Sequence, residues 1–207
     1  MRNKLIALMM IASQFALWGC YFEGPEYTDE LDLVYTNHDS KFDFAGKGTY
    51  SLPDKIVKIT GDPLAPPEYI NDIPYGKAIL DQIELNMNNL GWTKVDVNAV
   101  PPPDLQLLPA AWTTTTIVYG GYYGGYYCWY YPYYCGGGWY YPYYPVSSYS
   151  SGTLLMTLVN PNVEVADGSK QVTWTGALNG LLGSTDIGRI KKGIDQAFTQ
   201  SPYLKTN

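Results

Sequence analysis

Apolar residues recur at two spacings along the chain, and the switches between them mark out its elements. Thr49-Tyr-Ser-Leu52 and Lys55-Ile-Val-Lys-Ile-Thr60 are short and rich in β-branched or aromatic side chains, which predicts strands. Gly61 to Pro74 carries four prolines and reads as a loop. Ile79, Leu80, Ile83, Met87 and Leu90 then fall on one helical face, with Gly91 placed to stop the helix. Trp92 to Val97 alternates as a strand, Pro101-Pro102-Pro103 marks a break, and Asp104 to Val118 predicts another strand with an interruption at Pro109. Thr153 to Val159 is a strongly apolar strand. Asp167-Gly168 signals a turn, and Gln171 to Leu178 returns as its antiparallel neighbour. Thr185 is placed to cap a last helix in which Ile187, Ile190, Ile194, Ala197 and Phe198 share a face, and Ser201-Pro202 ends it. The pattern predicts an α+β domain over 41–207. Its expected core is a mainly antiparallel sheet with two helices packed on one face, plus a long Tyr/Gly-rich loop.

Two stretches break this pattern. At the N-terminus, Arg2 and Lys4 precede an apolar run from Leu5 to Leu17, long enough for a signal peptide and too short to span a bilayer. Leu17-Trp18-Gly19-Cys20 follows and resembles the lipobox of bacterial lipoproteins. The reading is a lipoprotein signal peptide over 1–19 and a lipidated Cys20, with the membrane as a partner through the lipid anchor. Residue 21 is Tyr rather than the Asp that resembles an inner-membrane retention signal, so the expected address is the outer membrane. Residues 20–40 are acidic and lack clear periodicity, which predicts a solvated tether; a surface-export tag and a calcium-binding patch are the alternatives.

The second break is an insert over 119–150. Between Tyr119 and Tyr144 it consists almost wholly of Tyr, Gly, Trp, Pro and Cys, and it repeats itself: Gly-Gly-Tyr-Tyr stands at 120–123 and 124–127, Trp-Tyr-Tyr-Pro-Tyr-Tyr at 129–134 and 139–144. Glycine pairs free the backbone, and tyrosine rings are amphipathic, so such a run need not collapse into a core. A loop this long inside a domain is usually functional or disordered. The candidate binding residues are Tyr122, Tyr123, Tyr126, Tyr127, Trp129, Trp139, Tyr140 and Tyr143. Exposed aromatics of this kind stack on partner proteins and on sugar rings. The rival reading is a neutral expansion of a loop tip. Cys128 and Cys135 bracket one repeat, and in an exported chain that close pair predicts a disulfide.

Composition narrows the functions. At 207 residues, 46% hydrophobic and 15% charged, the chain is long enough for one domain with a real core. The net charge of −6 becomes −8 once Arg2 and Lys4 leave with the signal peptide, which argues against nucleic acid. His38 is the one histidine; beside Asp39 in the expected tether it reads as a solvated residue, not as part of a Ser/His/Asp triad. With so few Cys and His, no soft-ligand metal site is expected, and no cofactor. Glu68, Asp81 and Glu84 are scattered acids expected to face solvent, and Gly136-Gly137-Gly138 lacks the following helix of a phosphate-binding loop. Trp174 reads as core packing rather than as a ligand platform.

The order of several short motifs resembles an uncharacterised bacterial lipoprotein family, domain of unknown function 4136. In the first half these are Gly48-Thr-Tyr50, the Ile79–Leu90 helix running into Gly91-Trp92, and Pro103-Asp104-Leu105. In the second half they are Gly152-Thr-Leu-Leu155, Val172-Thr-Trp174-Thr-Gly176, and Arg189-Ile190, Ile194, Ala197-Phe198 with Pro202. The resemblance covers roughly Lys41 to Leu204 outside the insert. It implies an envelope lipoprotein with a small α+β domain and no catalytic residues to carry over. The expected function is therefore non-enzymatic: a structural or protein-interaction module that presents the Tyr/Gly insert, with self-association or an envelope protein as partner. A glycan-binding module using the same tyrosines on peptidoglycan or polysaccharide is the alternative.

Overall fold

The computed structural model describes residues 33–59, 68–70, 75–112, 116–117, 139–140, 148–149, 152–164, 170–183 and 186–206. The chain divides into Met1–Leu31 and Asp32–Asn207, and everything below concerns the second unit.

The centre of the fold is three long strands whose sequences are apolar at nearly every position. β6 is Leu105–Trp112, β10 is Thr153–Glu164 and β11 is Lys170–Asn179. The two longer pairings are antiparallel, with Leu155 opposite Ala110 on one side and opposite Ala177 on the other. Shorter strands complete the sheet: β1 (Leu33–His38), β2 (Thr49–Ser51), β3 (Ile56–Ile59), β4 (Glu68–Ile70), β5 (Thr93–Lys94) and β8 (Trp139–Tyr140). The main order is β1-β11-β10-β6-β2-β5. β2 and β3 both lie parallel to β6 and share its outer edge, β2 at Leu105–Gln106 and β3 at Ala110–Trp112. The sheet is thus mixed, with its long pairings antiparallel as expected.

Two helices cover one face, again as expected. α1 (Tyr75–Asn89) buries Ile79, Ile83 and Met87, and α2 (Ile187–Thr199) buries Ile190, Ile194, Ala197 and Phe198. These join Leu105, Leu107, Leu154, Met156, Leu158, Trp174 and Leu178 of the sheet in one core. The helices also hold each other: Gln82 Nε2 and Asn86 Nδ2 both donate to Asp195 Oδ1, at 2.6 and 2.7 Å. Gly91, at φ +92°, closes α1 as its position in the sequence suggests. α2 is capped by Asp186, which accepts from Gly188 N at 2.8 Å, rather than by Thr185, which lies outside the described residues.

Several expectations are corrected. The tether expected over 20–40 ends in the sheet: Leu33–His38 pairs antiparallel with Trp174–Asn179. His38 is accordingly not a solvated loop residue; its ring stacks on Tyr203 at 3.8 Å. Asp39 is buried, accepting from Lys41 N and Gln171 Nε2. The proline-rich loop over 61–74 contains β4, antiparallel to β3. The expected strand over 92–97 is regular only at Thr93–Lys94. Pro109 does not interrupt β6, because it falls in the gap where the outer-edge partner changes from β2 to β3. β10 runs past Val159 to Glu164, with a register shift after Leu158. The expected loop over 119–150 is not wholly a loop, since β8 and β9 (Ser148–Tyr149) lie within it. The Asp167-Gly168 turn lies outside the described residues.

Candidate functional site

The insert grows from the middle of the sheet. β6 ends at Trp112 opposite Thr153, where β10 begins, so both ends of the insert leave from adjacent central strands. Gly152, at φ +83°, donates to Trp112 O at 2.7 Å, and its own carbonyl accepts from Leu182 N at 2.7 Å. Thr153 Oγ1 donates to Asn179 Oδ1 at 2.9 Å. This ties the root to three strands and to the 3₁₀ turn Leu181–Gly183. A short antiparallel stem follows, in which β7 (Thr116–Ile117) pairs with β9: Thr116 opposite Tyr149 and Ile117 opposite Ser148.

A second anchor lies at the other end of the sheet. Trp139 pairs with Lys170 and Tyr140 with Gln171, parallel, so β8 adds to the β11 edge that β1 occupies further along. Gln171 is fixed in turn by its bond to Asp39, and Asp39 N donates to Thr173 O at 2.9 Å. Of the candidate binding residues, the structure places the backbones of Trp139 and Tyr140. Tyr122, Tyr123, Tyr126, Tyr127, Trp129 and Tyr143 lie outside the described residues, as do Cys20, Cys128 and Cys135. The β7 side of the stem falls within the strand expected over 104–118, but sequence reasoning missed β9 and the β8 anchor because two-residue strands carry no periodicity of their own.

A separate open cleft of about 770 Å³ lies where β2 and β5 meet the start of β3. Ser51, Asp54, Lys55, Glu84, Lys94 and Asp96 supply its polar groups. One acid–base pair of the cleft neutralises itself: Lys94 Nζ stands 2.7 Å from Glu84 Oε2. Beside it, burial and then the Glu84 charge push the Tyr50 hydroxyl well above the usual tyrosine range, so it stays protonated. The Tyr50 hydroxyl and Ser51 Oγ are buried without hydrogen-bond partners among the described residues. Lys55 sits over the Tyr69 ring at 4.1 Å. Among the described residues no imidazole or carboxylate bonds to Ser51 Oγ. Of the other acids weighed, Asp81 pairs with Lys77 at 2.6 Å and Glu68 with Lys58 at 3.8 Å, both on the surface. Among the described residues no group of three or more His, Cys, Asp and Glu is placed to hold a metal ion. None of the described helices is long and apolar enough to cross a membrane.

The short sequence motifs prove to be parts of the scaffold. Asp104 accepts from Gly48 N and Thr49 N at 3.0 Å and from Thr49 Oγ1 at 2.9 Å. Burial alone would raise its pKa, but these bonds and the nearby Lys47 outweigh it and hold the carboxyl below its ordinary value. Trp92 Nε1 donates to Leu204 O at 2.7 Å, tying the end of α1 to the C-terminus. Trp174 Nε1 donates to Ser201 Oγ at 2.9 Å, and its ring stacks on Phe198. Gly176 leaves room for that ring, since a Cβ there would stand 2.7 Å from it.

Comparison with known proteins agrees with this architecture. The family described as domain of unknown function (DUF4136) matches residues 34–203. A crystal structure of a DUF4136 family protein from Bacteroides thetaiotaomicron VPI-5482 is similar at a TM-score of 0.66 and 30% identity, covering 84% of this chain and 97% of that one. A PelC dodecamer from Paraburkholderia phytofirmans is more distant, with a TM-score of 0.40 and 9% identity over 85% of this chain and 99% of the other. Comparison with curated proteins returns no match.

Proposed function

Since the chain belongs to the DUF4136 family, whose description assigns no activity, we propose a function from its own geometry: an envelope lipoprotein that binds another protein through its Tyr/Gly insert. The observation that carries this reading is the root of the insert. Two central strands, β6 and β10, feed a paired stem, and a rigid scaffold that holds a variable loop is the usual arrangement of a binding module. Tyrosine suits the task because it brings a large contact area at low rotamer cost. The reading is non-enzymatic. The cleft by β2 and β5 spends its Lys94 and Glu84 on each other, and the sequence motifs serve hydrogen bonds of the scaffold. The lipobox-like Leu17-Trp18-Gly19-Cys20 supports attachment at the outer membrane.

A pull-down from envelope fractions with the intact chain and with a chain lacking 118–138 tests it. Specific proteins enriched by the intact chain and lost with the shortened one are the expected result. Retention of the intact chain on insoluble polysaccharide, with no protein enriched, would replace this reading by glycan binding.

A further inference from the structure

The open cleft by β2 and β5 has a telling place in the sheet. The two strands are adjacent and parallel, Thr49 opposite Thr93 and Tyr50 opposite Lys94, with α1 in the connection between them. The cleft is lined by residues 51–55, at and beyond the end of β2, and by residues 94–97, at and beyond the end of β5. It therefore lies outside the carboxyl ends of two parallel strands, where sheets of this kind usually hold their ligands. Its volume of about 770 Å³ falls within the range of about 300–1,000 Å³ common to small-molecule sites.

The polar groups around it are unequally satisfied. Three acids, Asp54, Glu84 and Asp96, stand against two bases, Lys55 and Lys94. Both bases are engaged: Lys94 by Glu84 at 2.7 Å, and Lys55 over the Tyr69 ring at 4.1 Å. Asp54 is exposed and has no ion pair or hydrogen bond among the described residues. Asp96 commits Oδ1 to Asn98 N at 2.7 Å, which leaves Oδ2. Ser51 is only 2% exposed, and its Oγ has no partner among the described residues, a costly state for a buried hydroxyl. Each of these three groups can accept a hydrogen bond, and the surplus charge is negative. Among the described residues no group of three or more His, Cys, Asp and Glu is placed to hold a metal ion, so the donor they call for is organic. An ammonium suits two free carboxylates best, because charge-assisted bonds are roughly twice as strong as neutral ones. Leu52, Pro53, Val95 and Val97 give the cleft an apolar side for the carbon chain of such a ligand.

We propose that this cleft binds a small aliphatic primary amine, whose ammonium donates to the carboxylates of Asp54 and Asp96 and whose carbon chain lies along the apolar side. Ser51 Oγ is a third acceptor where β2 ends. Because Lys94 and Lys55 are engaged, a carboxylate on the ligand would go unpaired, so the site favours an amine over a zwitterionic amino acid. A free amine and the side chain of a lysine in a polypeptide share this chemistry. The inference does not depend on what the Tyr/Gly insert binds, and the pull-down that tests the insert can fail with this site intact.

Calorimetric titration of the full-length chain, purified in detergent, with butylamine and with a lysine blocked at both ends tests it. Saturable binding of at least one of them, with a Kd of about 1 mM or tighter, is expected. Tighter binding of butylamine would support the site with a free amine as ligand, and tighter binding of the blocked lysine would support it with a polypeptide as the source. Butyltrimethylammonium, which has the charge but no N–H, should bind about fivefold more weakly or worse, and so should either amine to Asp54→Asn or Asp96→Asn. Both residues are exposed, so the melting temperatures of these variants should match that of the native chain. Absence of saturable binding by both amines would overturn the proposal. So would undiminished binding by the two variants, or a preference for glutarate over butylamine.

Discussion

Ser201 shows how much of this fold hangs on single polar atoms. Its Oγ accepts from Trp174 Nε1 at 2.9 Å and from Tyr203 at 3.2 Å, and donates to Ala197 O at 2.9 Å. Ser201→Ala leaves a buried indole N–H without an acceptor and is expected to cost about 1–3 kcal/mol, read as a lowered urea midpoint at unchanged slope. Asp104 makes a comparable knot, and its contribution depends on pH. Its folded pKa lies below the ordinary value, so its stabilisation is present above the unfolded pKa of about 3.9 and fades as pH falls through the folded value. Asp104→Asn should therefore cost about 2 kcal/mol at pH 7, with the gap to the native chain narrowing below about pH 4. Denaturant midpoints across pH 2–8 check this, and a gap that widened in acid would refute it. At this scale the sequence was half legible. Trp174 reads as a core residue from its strand, but the reason for Gly176 needs the ring that folds over it. The partner of Asp104 stands 55 residues away and leaves no local signal.

Elements were legible in proportion to the apolar surface they bury by themselves. α1, α2, β10 and β11 carry strong periodicity or long apolar runs, and each emerged within a few residues of its expected place. β1, β4 and β8 are stabilised by the edge that receives them and β9 by its pairing with β7, and no local pattern marks such strands, whereas β7 falls inside the strand expected over 104–118. β1 is the instructive case, because the acids before it disguise Leu33-Val34-Tyr35-Thr36 as the end of a tether. It pairs along six residues of β11 and lends Val34 to the core. A chain beginning at Lys41 should consequently lose several degrees of melting temperature and associate through the bared β11 edge, while one beginning at Asp32 should match the mature protein. Thermal melts with sizing of both truncations decide it; identical melts would show β1 to be dispensable. The helix pair offers a second check. Asp195→Ala removes the acceptor of both Gln82 and Asn86 and should destabilise by about 1–2 kcal/mol, more than Asp81→Ala, whose partner Lys77 is exposed.

For the molecule as a whole, the sequence conveyed the class of fold and the helix-covered face, but not the parallel placement of β2 and β3 on β6, which brings together segments joined through α1. Nor did it show that the insert is anchored at both ends of the sheet, a fact with consequences for Cys128 and Cys135. Both stand in sequence between β7 and β8, outside the described residues, within the segment proposed to bind the partner. Export of a chain with a signal peptide takes it to an oxidising compartment, where two thiols so close in sequence seldom stay apart. Closing so short a loop removes roughly 2.5 kcal/mol of chain entropy, and native strain subtracts from that. On the proposed function the gain falls on the binding segment, so reduction should change partner capture strongly and the melting temperature hardly at all. Thiol counting on the denatured, unreduced mature chain is the direct measurement, and no reactive thiol with monomeric migration on a non-reducing gel is expected. Two reactive thiols would refute the bond. A dimer band that disappears on reduction would mean that the pairing joins two chains, and the insert would then be a site of self-association.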